Sequence, residues 1–394
     1  MTIVIPRATR ALGRLTAAGM LAVMAACAQG PQPREGGDGQ VHYRPVPIES
    51  LPGWDTDTVA EALPALTRSC ARLATLPGST PVGPRALGVR AADWAPPCAE
   101  ITRVAALGTG TTGLRQTLAQ AFQAWQVIGP DGPNGLFTGY YETTLDASPT
   151  RLPGYTTPLY ALPPGWETPA PRPDRAAIED GALNGVATVL LWARDPIDAF
   201  FLHIQGSGVA RLPDGRRVRI GYAGNNGHPF VGIGGLMRQR GLGDGSSMPA
   251  IRAWLRTHPE EGRALMRDNP RYIFFRFVNE DGPIGAQGVP LTAGRSLAVD
   301  RDHIPLGAPV WLDTTDAHGG RVSRLLVAQD TGSAIRGAVR GDLFWGTGEE
   351  ALYHAGGMKS PGRLWILLPR AAVVARACPS AAPAPCQAQT RSSS

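Results

Sequence analysis

The stretch LLVAQDTGSAIRG (residues 325–337), followed by GDLFWG (residues 341–346), decides the fold of the second half of the chain. An apolar run ends in the carboxylate of Asp330, a glycine-rich turn follows, and a second carboxylate, Asp342, precedes an apolar triplet. Short apolar runs bounded by glycine-containing turns are typical of β-strands. The pattern therefore predicts strands that deliver two acidic side chains to one cleft.

Two acids placed in this way suit the cleavage of a glycosidic bond. The bridging oxygen must be protonated, and a carboxylic acid with a raised pKa does this near neutral pH. The apolar residues after Asp342 predict a raised pKa because desolvation disfavours the charged form, and a nearby Asp330 charge adds to the effect. We therefore take Asp342 as the candidate acid and Asp330 as its support. A turn residue that caps backbone N–H groups is the structural alternative for both, and for Asp300 it is the favoured one.

The rest of the chain carries the same β signature. With 49 glycines and 37 prolines in 394 residues, short strands joined by tight turns are favoured over a helix bundle. Pro213-Asp214-Gly215 predicts a hairpin between residues 209–211 and 217–220. Further strands are predicted at residues 187–192, 200–204, 271–278, 297–299, 309–312, 324–328 and 364–368.

Three helical segments are also predicted. Apolar residues recur at three- and four-residue steps at 55–76, 114–125 and 246–269. Pro64 introduces a kink into the first segment, and Ser246 or Ser247 caps the last. These helices are expected to pack on the β core.

Polar groups on glycine-rich loops are candidates for binding sugar hydroxyls and N-acetyl groups. Aromatic rings near the acids can also stack on a sugar. The candidate substrate-binding residues are Tyr140, Gln205, Ser207, Tyr222, Asn225 and Trp345. Glu142 is a candidate second carboxylate. Ordinary turns are the alternative interpretation of each loop.

The first residues have the pattern of an export signal, with Arg7, Arg10 and Arg14 before the apolar residues 15–25. Met24-Ala25-Ala26-Cys27 resembles a bacterial lipobox, which predicts a lipidated Cys27; an ordinary signal with an incidental cysteine is the alternative. Residues 27–48 are rich in glycine, proline and glutamine and are expected to form a structureless tether.

Four further cysteines suit two disulfides in an exported protein. Proximity in sequence favours Cys70 with Cys98 and Cys378 with Cys386, and free buried thiols are the alternative.

Several classes of function are excluded by composition and spacing. The formal charge is +6, yet no basic run interleaved with aromatic residues indicates nucleic-acid binding. His-Glu-x-x-His, Walker and Gly-x-Ser-x-Gly motifs are all missing, so no metal and no cofactor is expected. After the signal, no apolar run approaches the roughly 20 residues that a transmembrane helix needs.

Several motifs then match one family in order and spacing from about residue 135 to 369. They are FTGYYE (137–142), IQGSG (204–208), GYAGNNG (221–227), GVPLTAGRSLAVD (288–300), IPLG (304–307), and QDTG (329–332) with Gly341-Asp342. This set resembles the MltA family of lytic transglycosylases. Asp300, Asp330 and Asp342 fall where the three aspartates of that family's 3D domain are expected.

The resemblance implies a mainly β fold: a double-psi β barrel with flanking helices, a second inserted β barrel, and a substrate groove between the two. The implied organisation is a signal peptide (1–26), a lipid-anchored tether (27–48), an N-terminal helical segment (49–141), an inserted barrel (142–269), a 3D-domain barrel (270–370) and a low-complexity tail (371–394).

The resemblance also implies an activity and a location. The family cleaves the β-1,4 bond between N-acetylmuramic acid and N-acetylglucosamine and leaves a 1,6-anhydromuramic acid end. One aspartate, by position Asp342, acts as acid and then base. The expected partners are peptidoglycan strands, a membrane through the anchor, and proteins of cell-wall synthesis or turnover, with no nucleic acid. The expected location is the periplasmic face of the outer membrane. Rival hypotheses are a glycoside hydrolase and a non-catalytic wall-binding lipoprotein.

Overall fold

The computed structural model describes residues 40–166, 172–280 and 282–372. The predicted signal peptide, Cys27, and the pair Cys378 and Cys386 lie outside these residues. Within the described ranges, no helix has the length and apolar character needed to cross a membrane.

The chain alternates between helices and a larger number of strands. The strands are β1 (His42–Val46), β2 (Phe122–Ile128), β3 (Gly135–Ser148), β4 (Thr157–Tyr160), β5 (Val189–Ala193), β6 (Ser207–Arg211), β7 (Arg217–Asn225), β8 (Ile273–Val278), β9 (Ser296–Val299), β10 (Pro309–Thr315), β11 (Arg321–Asp330), β12 (Arg340–Thr347) and β13 (Lys359–Pro369). The α-helices are α1 (Leu63–Ala74), α2 (Ala91–Leu107), α3 (Gly110–Ala121), α4 (Arg175–Ala177), α5 (Pro196–Gln205), α6 (Ile233–Gln239), α7 (Met248–Thr257), α8 (Pro259–Arg267) and α9 (Glu349–Ala355).

Six strands close into a first barrel. The ring runs β3, β12, β9, β11, β10 and β13, and β13 pairs with β3 to complete it. The β3–β12 and β9–β11 pairs are parallel, while the other pairs in the ring are antiparallel. Closure leaves no exposed edge within the ring. The expectation of a mainly β, barrel-based fold is therefore confirmed.

The long strand β3 joins this barrel to a second ring of strands. Its first half pairs with β12 and β13, and its second half pairs with β6 and β5. From there the ring continues through β7 and β8 on one side and β4 on the other, and a bridge between Ala161 and Phe275 closes it. Strand β8, which follows the boundary predicted at residue 269, pairs with β7 of this second ring.

The N-terminal helices pack on the first barrel. Trp54 and Trp311 are buried with ring centroids 5.2 Å apart. Arg295 directly precedes β9 and contacts the N-terminal segment. Its guanidinium donates to both oxygens of the buried Asp57 at 2.9 Å. A disulfide joins Cys70 on α1 to Cys98 on α2, which is the predicted pairing.

The predicted helix boundaries in this region need correction. The helix predicted at 55–76 begins only at Leu63, because Pro64 occupies the first turn, where a missing N–H is tolerated. The segment predicted at 114–125 ends at Ala121, and Phe122 starts a strand that pairs with β13. Helix α2 was not predicted, because Pro96 and Pro97 interrupt its apolar pattern.

The strand predicted at residues 200–204 is wrong. These residues belong to α5, whose N-cap Asp195 accepts a hydrogen bond from the N–H of Ile197. Gly206 ends the helix with φ 80°, a conformation that favours glycine. A short, continuously apolar run is compatible with a buried helix as well as a buried strand, so periodicity did not distinguish them.

Two other predictions differ from the structure at their ends. The tether predicted at 27–48 includes strand β1, which pairs with β2, so its last residues are ordered structure rather than a linker. The helical segment predicted at 246–269 is two helices, which meet at His258 before Pro259. Its cap is Ser247, whose Oγ accepts from the N–H of Ala250.

Candidate active site

The strand register of the first barrel brings the two candidate aspartates together. Asp342 on β12 is paired with Ala298 on β9 and with Thr138 on β3. Ala298 is also the partner of Asp330 on β11, at an irregularity in that ladder. The two aspartates therefore flank one residue of the strand between them.

Asp342 is partly buried, and its two oxygens have different environments. Oδ1 accepts a hydrogen bond of 2.6 Å from the hydroxyl of Thr138. The same hydroxyl oxygen accepts from a guanidinium nitrogen of Arg340 at 3.0 Å. Oδ2 has no hydrogen-bond partner among the described residues. One oxygen is thus held in place, and the other is available to a ligand.

The environment of Asp342 favours its protonated form. Burial raises the pKa of its carboxyl to about 6, and the negative charge of Asp330 contributes in the same direction. The Thr138 hydrogen bond and the Arg340 charge lower the pKa of Asp342 but do not cancel the effect of burial. A carboxyl group with such a pKa can be a proton donor close to neutral pH.

Asp330 differs from Asp342 because both of its oxygens are occupied. Oδ2 accepts from the phenol of Tyr140 at 2.8 Å, and Oδ1 accepts from the N–H groups of Thr331 and Ala286, each at 2.9 Å. Burial raises the pKa of Asp330, and these three hydrogen bonds oppose that shift. Asp330 is thus a fixed carboxylate beside Asp342, which keeps one oxygen without a hydrogen-bond partner among the described residues.

The sugar-binding candidate Tyr140 lies directly in this site. Its ring is tilted against Phe344 with centroids 5.2 Å apart, and burial beside Asp330 raises the pKa of its phenol well above the usual range. The phenol therefore stays protonated and donates to Asp330. Alternation along β12 places Phe344 on the same face as Asp342, whereas Leu343 is in the hydrophobic core.

The other acids are occupied by structural contacts. Asp300 is buried, and its carboxylate accepts from the N–H groups of Gly337 at 2.8 Å and Asp302 at 3.2 Å. Glu142 is 0 % exposed, and it accepts from Arg219 at 2.9 Å and from the hydroxyl of Thr347 at 2.8 Å. Neither carboxylate has an oxygen free for a substrate.

The remaining sugar-binding candidates lie on the second ring, with the exception of Trp345. Gln205 ends α5 and accepts from the N–H of Tyr141, next to Tyr140. Ser207 begins β6, while Tyr222 and Asn225 are on β7, where Tyr222 is 48 % exposed. None of these four has a described contact with Asp342.

Trp345 lies on β12 but packs away from the two acids. Its ring stacks on His354 at 4.8 Å and lies over Gly139, where an added Cβ would be 2.7 Å from Nε1. Gly139 is therefore required by this close packing. On β12, the aromatic residue on the same face as Asp342 is Phe344 instead, and it contacts Tyr140.

The sequence analysis missed three contributors to the site. Thr138, Arg340 and the N–H of Ala286 all act on the aspartates through hydrogen bonds or charge. Two-residue alternation predicts that Thr138 and Tyr140 share one face of a strand. It does not predict which strand pairs with theirs. In the described ranges, no group of three or more His, Cys, Asp or Glu side chains is arranged to hold a metal ion.

A closed barrel that carries an acid of raised pKa with one unpartnered oxygen, beside a fully hydrogen-bonded carboxylate, is an arrangement suited to acid catalysis. Comparison with known proteins identifies the family. The model of the MltA specific insert domain matches residues 136–276, and that of the 3D domain matches residues 295–368. The membrane-bound lytic murein transglycosylase A of Escherichia coli K12 is 36% identical over 271 residues, which are 66% of this chain and 72% of the relative. This chain belongs to the MltA family.

Solved structures agree with this assignment. The membrane-bound lytic murein transglycosylase from Agrobacterium tumefaciens superposes with a TM-score of 0.75 at 34% identity, covering 85% of this chain and 99% of that one. E. coli MltA with bound chitohexaose superposes with a TM-score of 0.66 at 29% identity, covering 86% of this chain and 97% of that one.

Proposed function

We propose that this chain is a lytic transglycosylase that cleaves peptidoglycan between N-acetylmuramic acid and N-acetylglucosamine and forms a 1,6-anhydromuramic acid end. The observation that carries the proposal is the free Oδ2 of Asp342 on a carboxyl whose pKa burial raises to about 6. Family membership supports the choice of substrate, because the relatives are named murein transglycosylases.

In the first step, protonated Asp342 gives its proton to the oxygen that bridges the two sugars. The bond from that oxygen to C1 of the muramic acid breaks, and the N-acetylglucosamine leaves as an alcohol. Positive charge develops at C1, and a carboxylate as near to Asp342 as that of Asp330 can stabilise it. Its three hydrogen bonds hold that charge without any rearrangement.

In the second step, the C6 hydroxyl of the same muramic acid attacks C1. Asp342, now a carboxylate, takes the hydroxyl proton, and the new C1–O6 bond closes the anhydro ring. The proton lost in the first step is recovered in the second, so one residue is acid and base in turn. No water is consumed.

Two features argue against a glycoside hydrolase. Such enzymes require a second carboxylate that acts as a nucleophile or activates a water. Glu142 is fully buried with both oxygens hydrogen-bonded, and Asp330 has no free oxygen either. A mechanism that needs one available carboxylate fits these contacts better.

A non-catalytic wall-binding protein is also a poorer fit. Binding alone gives no reason to bury an acid whose ionisation burial disfavours. A polar residue in place of Asp342 would serve a binder equally well. Proton transfer gives a reason for the raised pKa of Asp342, and binding alone does not.

We further propose that the glycan lies in a groove between the two barrels, the inserted one formed within residues 142–269 and extended by β8. E. coli MltA has been solved with bound chitohexaose, which supports a glycan site in this fold. Tyr140 contacts the sugar at the acids, and Gln205, Ser207, Tyr222 and Asn225 line the side that the second ring contributes. Trp345 acts through packing.

We also propose that the protein is exported and anchored by a lipid on Cys27 to the periplasmic face of the outer membrane. The relatives are named membrane-bound, which supports a membrane-associated enzyme. Mass spectrometry of the N-terminal fragment should then show a lipid on the wild type and none on a Cys27→Ser variant. An unmodified Cys27 in the wild type would contradict lipidation.

The central experiment is mass spectrometry of the fragments that the signal-free protein releases from purified peptidoglycan. We expect anhydro ends with the wild type and none with Asp342→Asn. Asp131→Asn, the same change at an exposed turn position before β3, is the matched control and should retain activity. Reducing ends would instead indicate a hydrolase, and binding without release would indicate a wall-binding protein.

A further inference from the structure

A cavity of about 600 Å³ lies behind the backbone that holds Asp330. It is open to solvent and is lined by the end of α1, residues 81–85, and the loops at 286–287 and 301–306. Ala286 lines the cavity and also donates its N–H to Oδ1 of Asp330. A ligand in the cavity is therefore one backbone segment away from the proposed catalytic pair.

The cavity carries an excess of positive charge. Three guanidinium groups line it, from Arg72, Arg85 and Arg301, against the one carboxylate of Asp302. Arg85 and Arg301 are exposed and form no ion pair or side-chain hydrogen bond with any described residue. Arg72 contacts only neutral oxygens, which belong to Gln287 and Thr75.

A buried amide lies beneath the wall of this cavity. Gln287 is 8 % exposed, and its Oε1 accepts from the hydroxyl of Ser69 at 2.7 Å. Its Nε2 has no acceptor among the described residues and almost no exposed surface. It lies against Gly307, where an added Cβ would be 2.5 Å away, so it does not face the cavity.

We infer that this cavity binds a carboxylate of the peptide stem that peptidoglycan carries on its muramic acid. The inference rests on the proposed function. Guanidinium groups bind carboxylates through paired hydrogen bonds, and three of them line this cavity. Leucine and proline side chains, including Leu73 and Leu76, form the apolar part of the wall and suit the aliphatic part of a short peptide.

The charge of the cavity favours the stem over the glycan. Sugar hydroxyls and N-acetyl groups are neutral, so they give no reason for three guanidinium groups at one site. Free carboxylates on a peptidoglycan strand belong to its peptides. The volume is also within the range of roughly 300 to 1,000 Å³ that is usual for small-molecule sites.

The test compares three substrates made from one batch of glycan strands. One carries intact stems. One has had its stems removed by an amidase, and the lactyl carboxylates that this exposes are then capped with methylamine. The third keeps its stems and has the stem carboxylates capped with methylamine. The proteins are the wild type, the double variant Arg85→Gln/Arg301→Gln, and the control Arg103→Gln. Arg103 is exposed on α2 and pairs only with Glu100 on the same helix, so the control removes a surface charge elsewhere.

We expect the wild type to have a kcat/KM about 10-fold higher on stem-bearing strands than on the other two substrates. The double variant should lose that preference and keep the wild-type rate on stem-free strands, while the control behaves like the wild type. The same kcat/KM ratio between substrates for the wild type and the double variant would overturn the inference and leave the proposed function intact. If the wild type released no anhydro products from any substrate, the proposed function itself would fail, and this inference with it.

Discussion

The hydroxyl of Thr138 on β3 donates a hydrogen bond of 2.6 Å to Oδ1 of Asp342, its direct neighbour on β12. The bond orients the carboxyl group and leaves Oδ2 without a partner in the described part of the chain. It also stabilises the charged form of Asp342, because a hydrogen-bond donor favours the carboxylate. Thr138 therefore orients the carboxyl group and lowers its pKa, against the larger effect of burial.

The first prediction concerns the pH dependence of cleavage. Asp342 must be protonated to act as acid, so kcat/KM of the wild type should fall as the pH rises above about 6. Thr138→Val removes the hydrogen bond that lowers the pKa of Asp342. The fall of kcat/KM at high pH, which is the alkaline limb of the pH profile, should therefore move to higher pH. The control is Thr157→Val on β4, which makes the same change on the second ring and should leave the limb in place. An unmoved limb in Thr138→Val would contradict the assignment of the acid.

Asp330→Asn should move the same limb in the opposite direction. The negative charge of Asp330 raises the pKa of Asp342, so its removal lowers that pKa. At pH 7 a smaller fraction of the enzyme then carries the proton, and the loss of a carboxylate near C1 slows the reaction further. A pH profile of kcat/KM separates the two effects, because the charge effect alone shifts the limb. Activity lost without any shift would mean that Asp330 acts only through transition-state charge.

Glu142 and Arg219 should matter for stability but not for the pH profile. The pair links β3 to β7 within the second ring, and Glu142 is fully buried. Arg219→Met leaves that carboxylate without its cation, and loss of one partner of a buried pair typically costs about 3 to 5 kcal/mol. Since Arg219 is 21 % exposed, we expect about 2 to 4 kcal/mol in urea unfolding. A changed alkaline limb in the folded variant would point to a catalytic role for Glu142.

The disulfide between Cys70 and Cys98 offers a separate test of how the N-terminal helices are held. It joins α1 to α2 across 28 residues, and closing a loop of that length stabilises a protein by about 3 to 4 kcal/mol in the chain-entropy model. The double variant Cys70→Ala/Cys98→Ala should therefore unfold at lower urea concentration. Below its transition it should cleave at the wild-type rate. Reductant should destabilise the wild type by a similar amount and leave the variant unchanged.

Local sequence patterns predict much of the first barrel. The apolar run before Asp330, the glycine-rich turn and the acid at Asp342 have the expected order, and the barrel contains the strands predicted around residues 297–299, 309–312 and 364–368. Each of these patterns spans only a few residues, and strand alternation and turn residues can be recognised within such a short stretch of sequence.

Contacts between distant strands could not be predicted in this way. Thr138 and Asp342 are 204 residues apart, and only the register of β3 against β12 makes them neighbours. A shift of one residue would place Thr138 on the other face of the strand, and nothing local distinguishes the two arrangements. The role of Ala286 could not be predicted from the sequence either. It contributes only its backbone N–H, which donates to Asp330 and does not depend on the type of side chain.

The last prediction is that Asp342→Asn makes the protein more stable while it abolishes cleavage. Burial raises the pKa of Asp342 to about 6, above the roughly 3.9 expected for an unfolded chain. When the pKa of a group is higher in the folded state than in the unfolded state, the group stabilises the fold fully below its unfolded pKa. That stabilisation is lost as the pH rises through the folded pKa.

At pH 7 the wild type therefore holds an unfavourable buried charge, which the asparagine lacks. The asparagine can still accept from Thr138. We expect Asp342→Asn to be more stable by about 1 to 3 kcal/mol at pH 7, and the gain should shrink towards zero near pH 4. Urea unfolding at both pH values measures this, with Asp131→Asn as the control for a simple loss of charge. A variant that is equally stable or less stable than the wild type at both pH values would contradict this prediction. It would mean that burial does not raise the pKa of Asp342, because a raised pKa destabilises the fold only at pH values where the carboxyl group is ionised.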